Sequence, residues 1–436
     1  MIGIPVLAQA AEVDTGDTAW MLISTALVLF MVIGLGLFYT GLVRAKNSLN
    51  TFMMCIASAA IAAVTWALVG YSFAFDGTGD LIGGFGHLAL QDVTFEPREG
   101  TTIPHLLFMA FQATFCILTV ALISGAVVER MRFGAFMVFA ALWSIGVYAV
   151  LAHWVFGGGW LAEGGTLDFA GGVPVEMGSG FSALAAALVV GARNDYGRLA
   201  LLPHNAVYAL AGAGILWFGW FGFNGGSGIG TGNASVLAFV NTMLCPAATL
   251  LAWFALDAIR GRKVTAIGAA TAIIVGCVLI TPAGAFVSPG WALALGFAGA
   301  LPCYAVVVLR PRTRVDETLD VLAAHGVAGF TGILFIGFFA QQSWNGVSDG
   351  LFYGNAAQLA DQALAALAAP IYAFVGTYVL LRLMGALMPL RVTEREEAMG
   401  LDVTAHGEEA YATGEGAILV TPEAGVEVPV LVANPD

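Results

Sequence analysis

Residues 168–193 decide the fold, and they read DFAGGVPVEMGSGFSALAAALVVGAR. They place one carboxylate, that of Glu176, inside a stretch that is otherwise apolar enough to span a membrane. A charged side chain near the centre of a bilayer costs about 2.5–3.5 kcal/mol on insertion scales, so such residues normally face a helix bundle or a water-filled path. The small residues around Glu176 allow neighbouring helices to approach closely. We predict that Glu176 is buried between helices, with a purely structural hydrogen bond as the alternative to a functional role.

A second segment repeats this local pattern. From Glu176 the chain reads EMGSGFS, and from His325 it reads HGVAGFT, so an ionisable residue heads an apolar helix in each half of the protein. Internal repeats with polar residues near the membrane midplane are typical of secondary transporters. The match is short, and its meaning depends on the number and order of the membrane spans.

The composition is that of a polytopic membrane protein. Of the 436 residues, 59% are hydrophobic and only 10% are charged, far from an average soluble domain. The net charge of −13 argues against nucleic acid as a partner. The five cysteines lack metal-ligand spacing, and no nucleophile motif or nucleotide-binding loop is present. We therefore predict that the protein is not an enzyme and uses no cofactor or metal.

Apolar windows of about 20 residues, the length needed to cross the hydrocarbon core, predict eleven transmembrane helices. They lie at approximately 20–42, 51–75, 103–128, 133–156, 171–191, 203–224, 235–257, 265–282, 289–309, 318–340 and 365–389. Arginine and lysine follow the odd-numbered spans through the ninth, whereas the intervening loops contain only Arg98. The positive-inside rule then predicts an N-terminus outside the cell and a C-terminus in the cytoplasm.

Eleven spans divide into five, five and one. The repeat halves cover about 20–192 and 203–340, and an extra peripheral helix covers 365–389. Because five is odd, the second half enters the membrane from the opposite side, which makes the halves an inverted repeat. The predicted fold class is an all-α polytopic membrane protein of eleven transmembrane helices. The repeat should bring Glu176 and His325 side by side.

The transmembrane domain is predicted to cover residues 11–390. Residues 1–10 read as a possible signal-peptide remnant, because Ala8-Gln9-Ala10 resembles a small-residue cleavage site. Residues 391–436 are predicted to form a cytoplasmic tail, with a short cap over residues 391–411.

Aromatic residues cluster on the third and sixth spans. Phe111 and Phe115 lie four residues apart and so share one helical face. Membrane aromatics most often form an interfacial belt, but rings beside a hydroxyl such as that of Ser227 also suit a small cation through cation–π contact. Asp168 is best interpreted as the N-cap of its helix, although its charge would also shape the field at the entrance.

These motifs resemble the ammonium transporter (Amt/Mep/Rh) superfamily, and within it the bacterial Amt type. The resemblance is carried by residues 168–193, GWFGFN at 219–224, FQATF at 111–115, ERMRF at 129–133 and HG at 325–326. It extends over nearly the whole chain and implies an Amt-like fold. It further implies a homotrimer in the lipid bilayer of the cytoplasmic (inner) membrane, with one pore per subunit. Ammonium or ammonia would be the substrate, methylammonium a further candidate, and a PII-type protein a cytoplasmic regulator.

The resemblance also implies a role for each candidate site residue. The outer recruitment site would comprise Phe111, Phe156, Ser227 and Asp168, the phenyl gate Phe115 and Phe223, and the pore proton relay Glu176 and His325.

Two positions depart from the family pattern. The family usually has tryptophan where this chain has Phe156, and histidine where it has Glu176, although some fungal members resemble this chain in having an acid there. Phenylalanine keeps an aromatic face but lacks the indole N–H. The departures bear on transport rate and pH response rather than on the fold. An ammonium sensor that binds but conducts poorly is therefore the alternative to a transporter.

Overall fold

The chain folds into a bundle of apolar helices. A computed structural model describes residues 12–77 and 79–411. In this described part of the chain, ten helices are long and apolar enough to cross a membrane, and there is also a shorter apolar helix of 15 residues. In chain order the helices are α1 Thr15–Leu42, α2 Ala45–Phe75, α3 His105–Val127, α4 Phe133–Glu163, α5 Gly172–Val190, α6 Ala206–Gly226, α7 Asn233–Ile259, α8 Ala266–Ile280, α9 Pro289–Arg312, α10 Leu322–Phe339 and α11 Ala356–Leu387. They confirm the predicted all-α polytopic fold class. The predicted signal-peptide remnant lies outside the described residues, as does the tail beyond residue 411.

Polar residues placed just before the apolar runs determine where several helices begin. The side chain of Asp14 accepts a hydrogen bond from the backbone N–H of Asp17 at 2.8 Å and caps α1. Asn205 caps α6 and Thr265 caps α8 in the same way. Each cap satisfies a backbone donor that the first turn of a helix leaves unpaired.

The two halves of the bundle meet through glycines on corresponding helices. Where α1 packs along α6, a Cβ atom added to Gly212 would lie 2.3 Å from the backbone nitrogen of Phe38. Where α5 crosses α10, a Cβ atom on Gly180 would lie 2.1 Å from the backbone nitrogen of Gly326. The first helices of the halves thus pack together, as do the fifth helices. This pairing is expected of two halves related by a pseudo-two-fold axis in the membrane plane.

Helix α11 lies across both crossing helices. The Thr377 hydroxyl donates to Ser182 Oγ of α5 at 2.7 Å, and Gln362 Nε2 donates to the carbonyl of Ile333 on α10 at 3.2 Å. Its opposite face exposes large apolar side chains, among them Leu367 and Ile371. Such a face suits lipid or a neighbouring subunit.

The chain after α11 folds back onto the end of the bundle that carries the arginine-rich loops. A short helix, α12 Glu394–Met399, begins with a capping box between Thr393 and Glu396. Beyond it, the carboxylate of Asp402 accepts hydrogen bonds from two backbone N–H groups near the start of α2, those of Leu49 at 3.1 Å and Asn50 at 2.8 Å. The described part of the tail is therefore fastened to the helix bundle.

Candidate functional site

The centre of the site is a buried acid–base pair. Glu176 Oε2 lies 2.7 Å from His325 Nδ1, and the two side chains are 0% and 3% exposed. The predicted meeting of these residues across the helix crossing is therefore present in the geometry. The second oxygen of Glu176, Oε1, is also buried and has no hydrogen-bond partner among the described residues. The pair thus keeps an acceptor for which the surrounding protein supplies no donor.

Both members of the pair stand on short π-helical segments. Glu176 lies in Gly172–Met177 at the start of α5, and His325 lies in Leu322–Val327 at the start of α10. Single π-turns within α-helices occur often at functional sites, because they shift the side chains relative to a regular helix. A Cβ atom on Gly329 would approach the Cβ of Glu176 to 2.7 Å, so a glycine there leaves room for the acid.

A carboxylate caps each of these segments. Asp168 accepts hydrogen bonds from the backbone N–H groups of Gly171, Gly172 and Val173 at 2.7 to 2.9 Å. This is the capping role preferred for Asp168 in the sequence analysis. The equivalent group on α10 is Glu317, which accepts from the N–H groups of Val321 at 3.0 Å and Leu322 at 3.3 Å.

Glu317 was not among the predicted site residues, although its spacing is visible in the sequence. Glu317 lies eight residues before His325, just as Asp168 lies eight residues before Glu176. The burial of Glu317 is consistent with a structural role, since the residue is 1% exposed and its carboxylate accepts hydrogen bonds from backbone N–H groups at the start of α10. In both halves, therefore, a carboxylate caps the start of the crossing helix. The residues that the two halves contribute to the central pair differ, being Glu176 in one and His325 in the other.

The two phenyl rings that were predicted to form the gate lie against each other. The centroids of Phe115 on α3 and Phe223 on α6 are 4.2 Å apart, with an angle of 38° between the ring planes. Both side chains are buried, and Trp220 packs beside Phe223 while its Nε1 donates to Thr281 Oγ1 at 2.8 Å. The ring of Phe223 is therefore held in place from two sides.

A cavity of about 340 Å³ opens next to these rings. We call it the aromatic cavity. Its lining residues are Phe75, Arg98, Gly100, Thr101, Phe108, Gln112, Phe115, Phe156, Phe169, Ser227, Gly228 and Ile229. The cavity brings together two of the four predicted recruitment residues, Phe156 and Ser227, and it also borders Phe115 of the predicted gate. The Ser227 hydroxyl donates to the carbonyl of Phe223 at 2.8 Å, which leaves its oxygen lone pairs as acceptors.

Phe111 does not lie on the wall of this cavity. Its side chain is 0% exposed and packs edge-on against Phe115, with the ring centroids 4.8 Å apart. Phe108, one turn earlier on α3, lines the cavity instead. Helical periodicity places Phe108 and Phe111 toward the same side of α3, but it does not determine which turn of the helix reaches the cavity.

A polar cluster joins several loops at the arginine-rich end of the bundle. Glu129 is fully buried and lies 2.7 Å from Arg193 and 3.0 Å from Arg44. Arg193 also pairs with Asp316 at 2.8 Å. The pKa of Asp316 is held below its ordinary value, because Arg193 and Arg130 outweigh the effect of its burial. Within the described residues we find no group of three or more His, Cys, Asp or Glu side chains placed to hold a metal ion.

Comparison with known proteins identifies relatives over most of the chain. The family model described as Ammonium Transporter Family matches residues 19–411. An ammonium transporter of Bacillus subtilis is 44% identical over 399 residues, which are 91% of this chain and 98% of that protein. The crystal structure of Candida albicans Mep2 superposes with a TM-score of 0.84 at 34% identity, covering 88% of each chain. A structure described as a sensor Amt protein superposes with a TM-score of 0.82 at 28% identity, covering 90% of this chain and 98% of that one.

Proposed function

The chain belongs to the ammonium transporter family, and we propose that it moves ammonium through a pore in each subunit, using Glu176 and His325 as a proton relay. The observation that carries the proposal is the contact between Glu176 and His325, buried where the two crossing helices meet. Ionisable groups inside a membrane bundle are costly and usually mark a substrate or proton path. The buried Oε1 of Glu176, to which no described residue donates a hydrogen bond, provides an acceptor for an N–H of the substrate.

Entry begins in the aromatic cavity. Phe156 offers an aromatic face, and Ser227 offers a hydroxyl oxygen that accepts a hydrogen bond. A small weakly hydrated cation gains from both, by cation–π contact and by donating N–H groups. Sodium and potassium need oxygen ligands to replace their water, and the rings of Phe115 and Phe223 supply none. We therefore infer that the cavity and gate select ammonium and methylammonium over metal cations.

The relay depends on where the proton of the pair lies. A protonated acid facing neutral imidazole is net neutral, as is a carboxylate facing imidazolium, whereas a carboxylate facing neutral imidazole carries one negative charge. The two side chains share a hydrogen bond at 2.7 Å, so a proton on one is within reach of the other. Either neutral arrangement lets ammonia pass while the proton travels separately over Glu176 and His325. The negative arrangement instead favours the ammonium ion itself.

A second function in the same family is ammonium sensing with little conduction. Two observations favour it as the alternative: Glu176 and Phe156 depart from the family pattern, and a structure described as a sensor Amt protein superposes on 90% of this chain. Both functions need the recruitment site, so a measurement of ammonium binding does not distinguish them, whereas a measurement of ammonium current does.

The test is current against pH on a solid-supported membrane, using purified protein in liposomes. We expect an ammonium-evoked current in the wild type and at least a tenfold smaller current for Glu176→Gln, which keeps the shape and hydrogen-bonding capacity but not the ionisable carboxylate. Glu176→His should retain transport with a shifted pH profile. Size-exclusion chromatography checks that all three proteins stay assembled. Equal pH profiles in three intact proteins would remove Glu176 from the mechanism, and ammonium binding without current in the wild type would favour the sensor.

We also propose the surroundings in which the pore works. The loops between spans place arginine and lysine on one side of the membrane, except for Arg98, which suits an N-terminus outside and a C-terminus in the cytoplasm. The exposed apolar faces suit a homotrimer in the cytoplasmic (inner) membrane of the cell. The arginine-rich end, with its folded tail, is the surface on which a PII-type regulator would dock. Cysteine accessibility tests the orientation. In intact cells, Asn345→Cys should react with a membrane-impermeant thiol reagent, whereas Arg262→Cys should react only after permeabilisation.

A further inference from the structure

Arg98 is the one basic residue that the sequence places between spans on the proposed outer side. A tight turn just before α3 presents it to the aromatic cavity. The backbone N–H of Arg98 donates to the carbonyl of Ile103 at 3.3 Å, and the backbone N–H of Thr101 donates to the Arg98 carbonyl at 2.9 Å. The Thr101 hydroxyl donates to the same carbonyl at 2.8 Å. The position of Arg98 on the cavity wall is thus determined by its own turn.

The guanidinium of Arg98 lies over two rings of that cavity. Its central carbon is 4.2 Å from the ring centroid of Phe108 and 5.4 Å from that of Phe75. Among the residues that the structure describes, no carboxylate lies within ion-pair distance of Arg98. A permanent positive charge therefore faces the space in which a cation is to be recruited, and it covers one of the aromatic faces available there.

We propose that Arg98 sets the affinity of the outer site by opposing ammonium entry, an inference that rests on the function proposed above. Two unit charges on the order of 7 Å apart in a partly hydrated cavity repel one another enough to weaken binding roughly three- to tenfold. Arg98 makes the site respond at higher external ammonium than the same cavity would without it. A role confined to packing on Phe108 would leave this affinity unchanged.

The experiment measures the half-saturating ammonium concentration, both by current in liposomes and by calorimetric binding in detergent. We expect Arg98→Gln to lower it three- to tenfold and Arg98→Lys, which keeps the charge, to stay within twofold of the wild type. Glu99→Gln is the matched control, because Glu99 is the exposed neighbour of Arg98 and does not line the cavity. The effect of Arg98→Gln should shrink in 1 M sodium chloride, where the screening length falls to about 3 Å.

A second pair of variants tests the charge without removing the arginine. Gly100 also lines the cavity, has a φ of +76°, and has no heavy atom within 4 Å of a Cβ built on it. Aspartate and asparagine both tolerate this left-handed conformation better than most residues. We expect Gly100→Asp to lower the half-saturating concentration and Gly100→Asn to leave it near the wild-type value. If Arg98→Gln does not fold, these two variants still test whether the charge beside Arg98 changes the half-saturating ammonium concentration.

Two results would overturn the inference, and they are distinguishable. A wild type that responds to ammonium while Arg98→Gln and Gly100→Asp share its half-saturating concentration would refute the role of Arg98 alone. A wild type that shows neither binding nor current would refute the proposed function and this inference with it.

Discussion

Glu129→Gln should destabilise the arginine-rich end of the bundle by about 3–5 kcal/mol, the usual cost of breaking a buried ion pair from one side. The wild-type carboxylate accepts hydrogen bonds from the backbone N–H of Arg44 at 2.8 Å, from Asn47 Nδ2 at 3.1 Å and from Arg193 Nη1 at 2.7 Å. Glutamine has the same shape, but its amide nitrogen would turn a donor toward these donors. It would also remove the negative charge that Arg44 and Arg193 share.

The pH dependence gives this prediction a sign. Burial tends to raise the pKa of Glu129, but Arg193 and Arg44 outweigh it and hold the pKa below its ordinary value of 4.5. A group whose pKa is lowered by folding contributes stability above its unfolded pKa, and this stability is lost as the pH falls through the folded value. The wild type should therefore exceed Glu129→Gln in stability at pH 7, and the difference should shrink below about pH 4.5.

The assay is thermal unfolding in detergent, followed by tryptophan fluorescence at pH 7 and at pH 4. We expect the midpoint of Glu129→Gln at pH 7 to fall by roughly 5–10 °C. Glu394→Gln, which removes an exposed carboxylate at the start of α12, is the matched control and should change the midpoint by no more than about 1 °C. Equal midpoints for wild type and Glu129→Gln would refute the view that the buried charge holds these loops together.

Three further predictions concern the gate, the helix crossing and the regulator. Phe223→Ala removes the ring 4.2 Å from Phe115 and should change transport strongly; if currents with ammonium, methylammonium, sodium and potassium all match the wild type, the gate is assigned wrongly. Gly180→Ala would place a Cβ 2.1 Å from the backbone nitrogen of Gly326 and should yield no monodisperse protein on size exclusion, whereas Gly134→Ala meets no atom within 4 Å and should behave normally. The host's PII-type protein should co-purify with the chain under at least one condition among ADP, ATP and no nucleotide, and the absence of any complex would leave the docking proposal without support.

The central pair could be predicted from the sequence because its signal is carried by the whole topology. The motifs at Glu176 and His325 are short. Each half, however, contains five spans, and because this number is odd, the second half has the opposite orientation in the membrane. Such an arrangement leaves few ways to place the two helices other than against each other. The hydrogen bond at 2.7 Å agrees with that reasoning.

Features determined by single turns of backbone could not be predicted in the same way. Hydrophobic periodicity is similar for α- and π-helical turns, so the π-segments that carry the pair gave no signal in the apolar pattern. The choice of Phe108 rather than Phe111 for the cavity wall depends on the depth at which α3 sits. The reach of Arg98 into that cavity depends on a tight turn whose hydrogen bonds are invisible in composition.

The shared caps and unlike partners at the helix crossing have a consequence for direction. Asp168 and Glu317 begin two helices of opposite sense in the same way, yet an acid follows one and an imidazole the other. Two helices that begin in the same way therefore contribute chemically different side chains to the central pair. In the proposed relay, a proton that moves inward would meet the carboxyl group and the imidazole in the reverse of the order met by a proton that moves outward. Inward and outward currents at matched driving force should consequently differ in their dependence on pH.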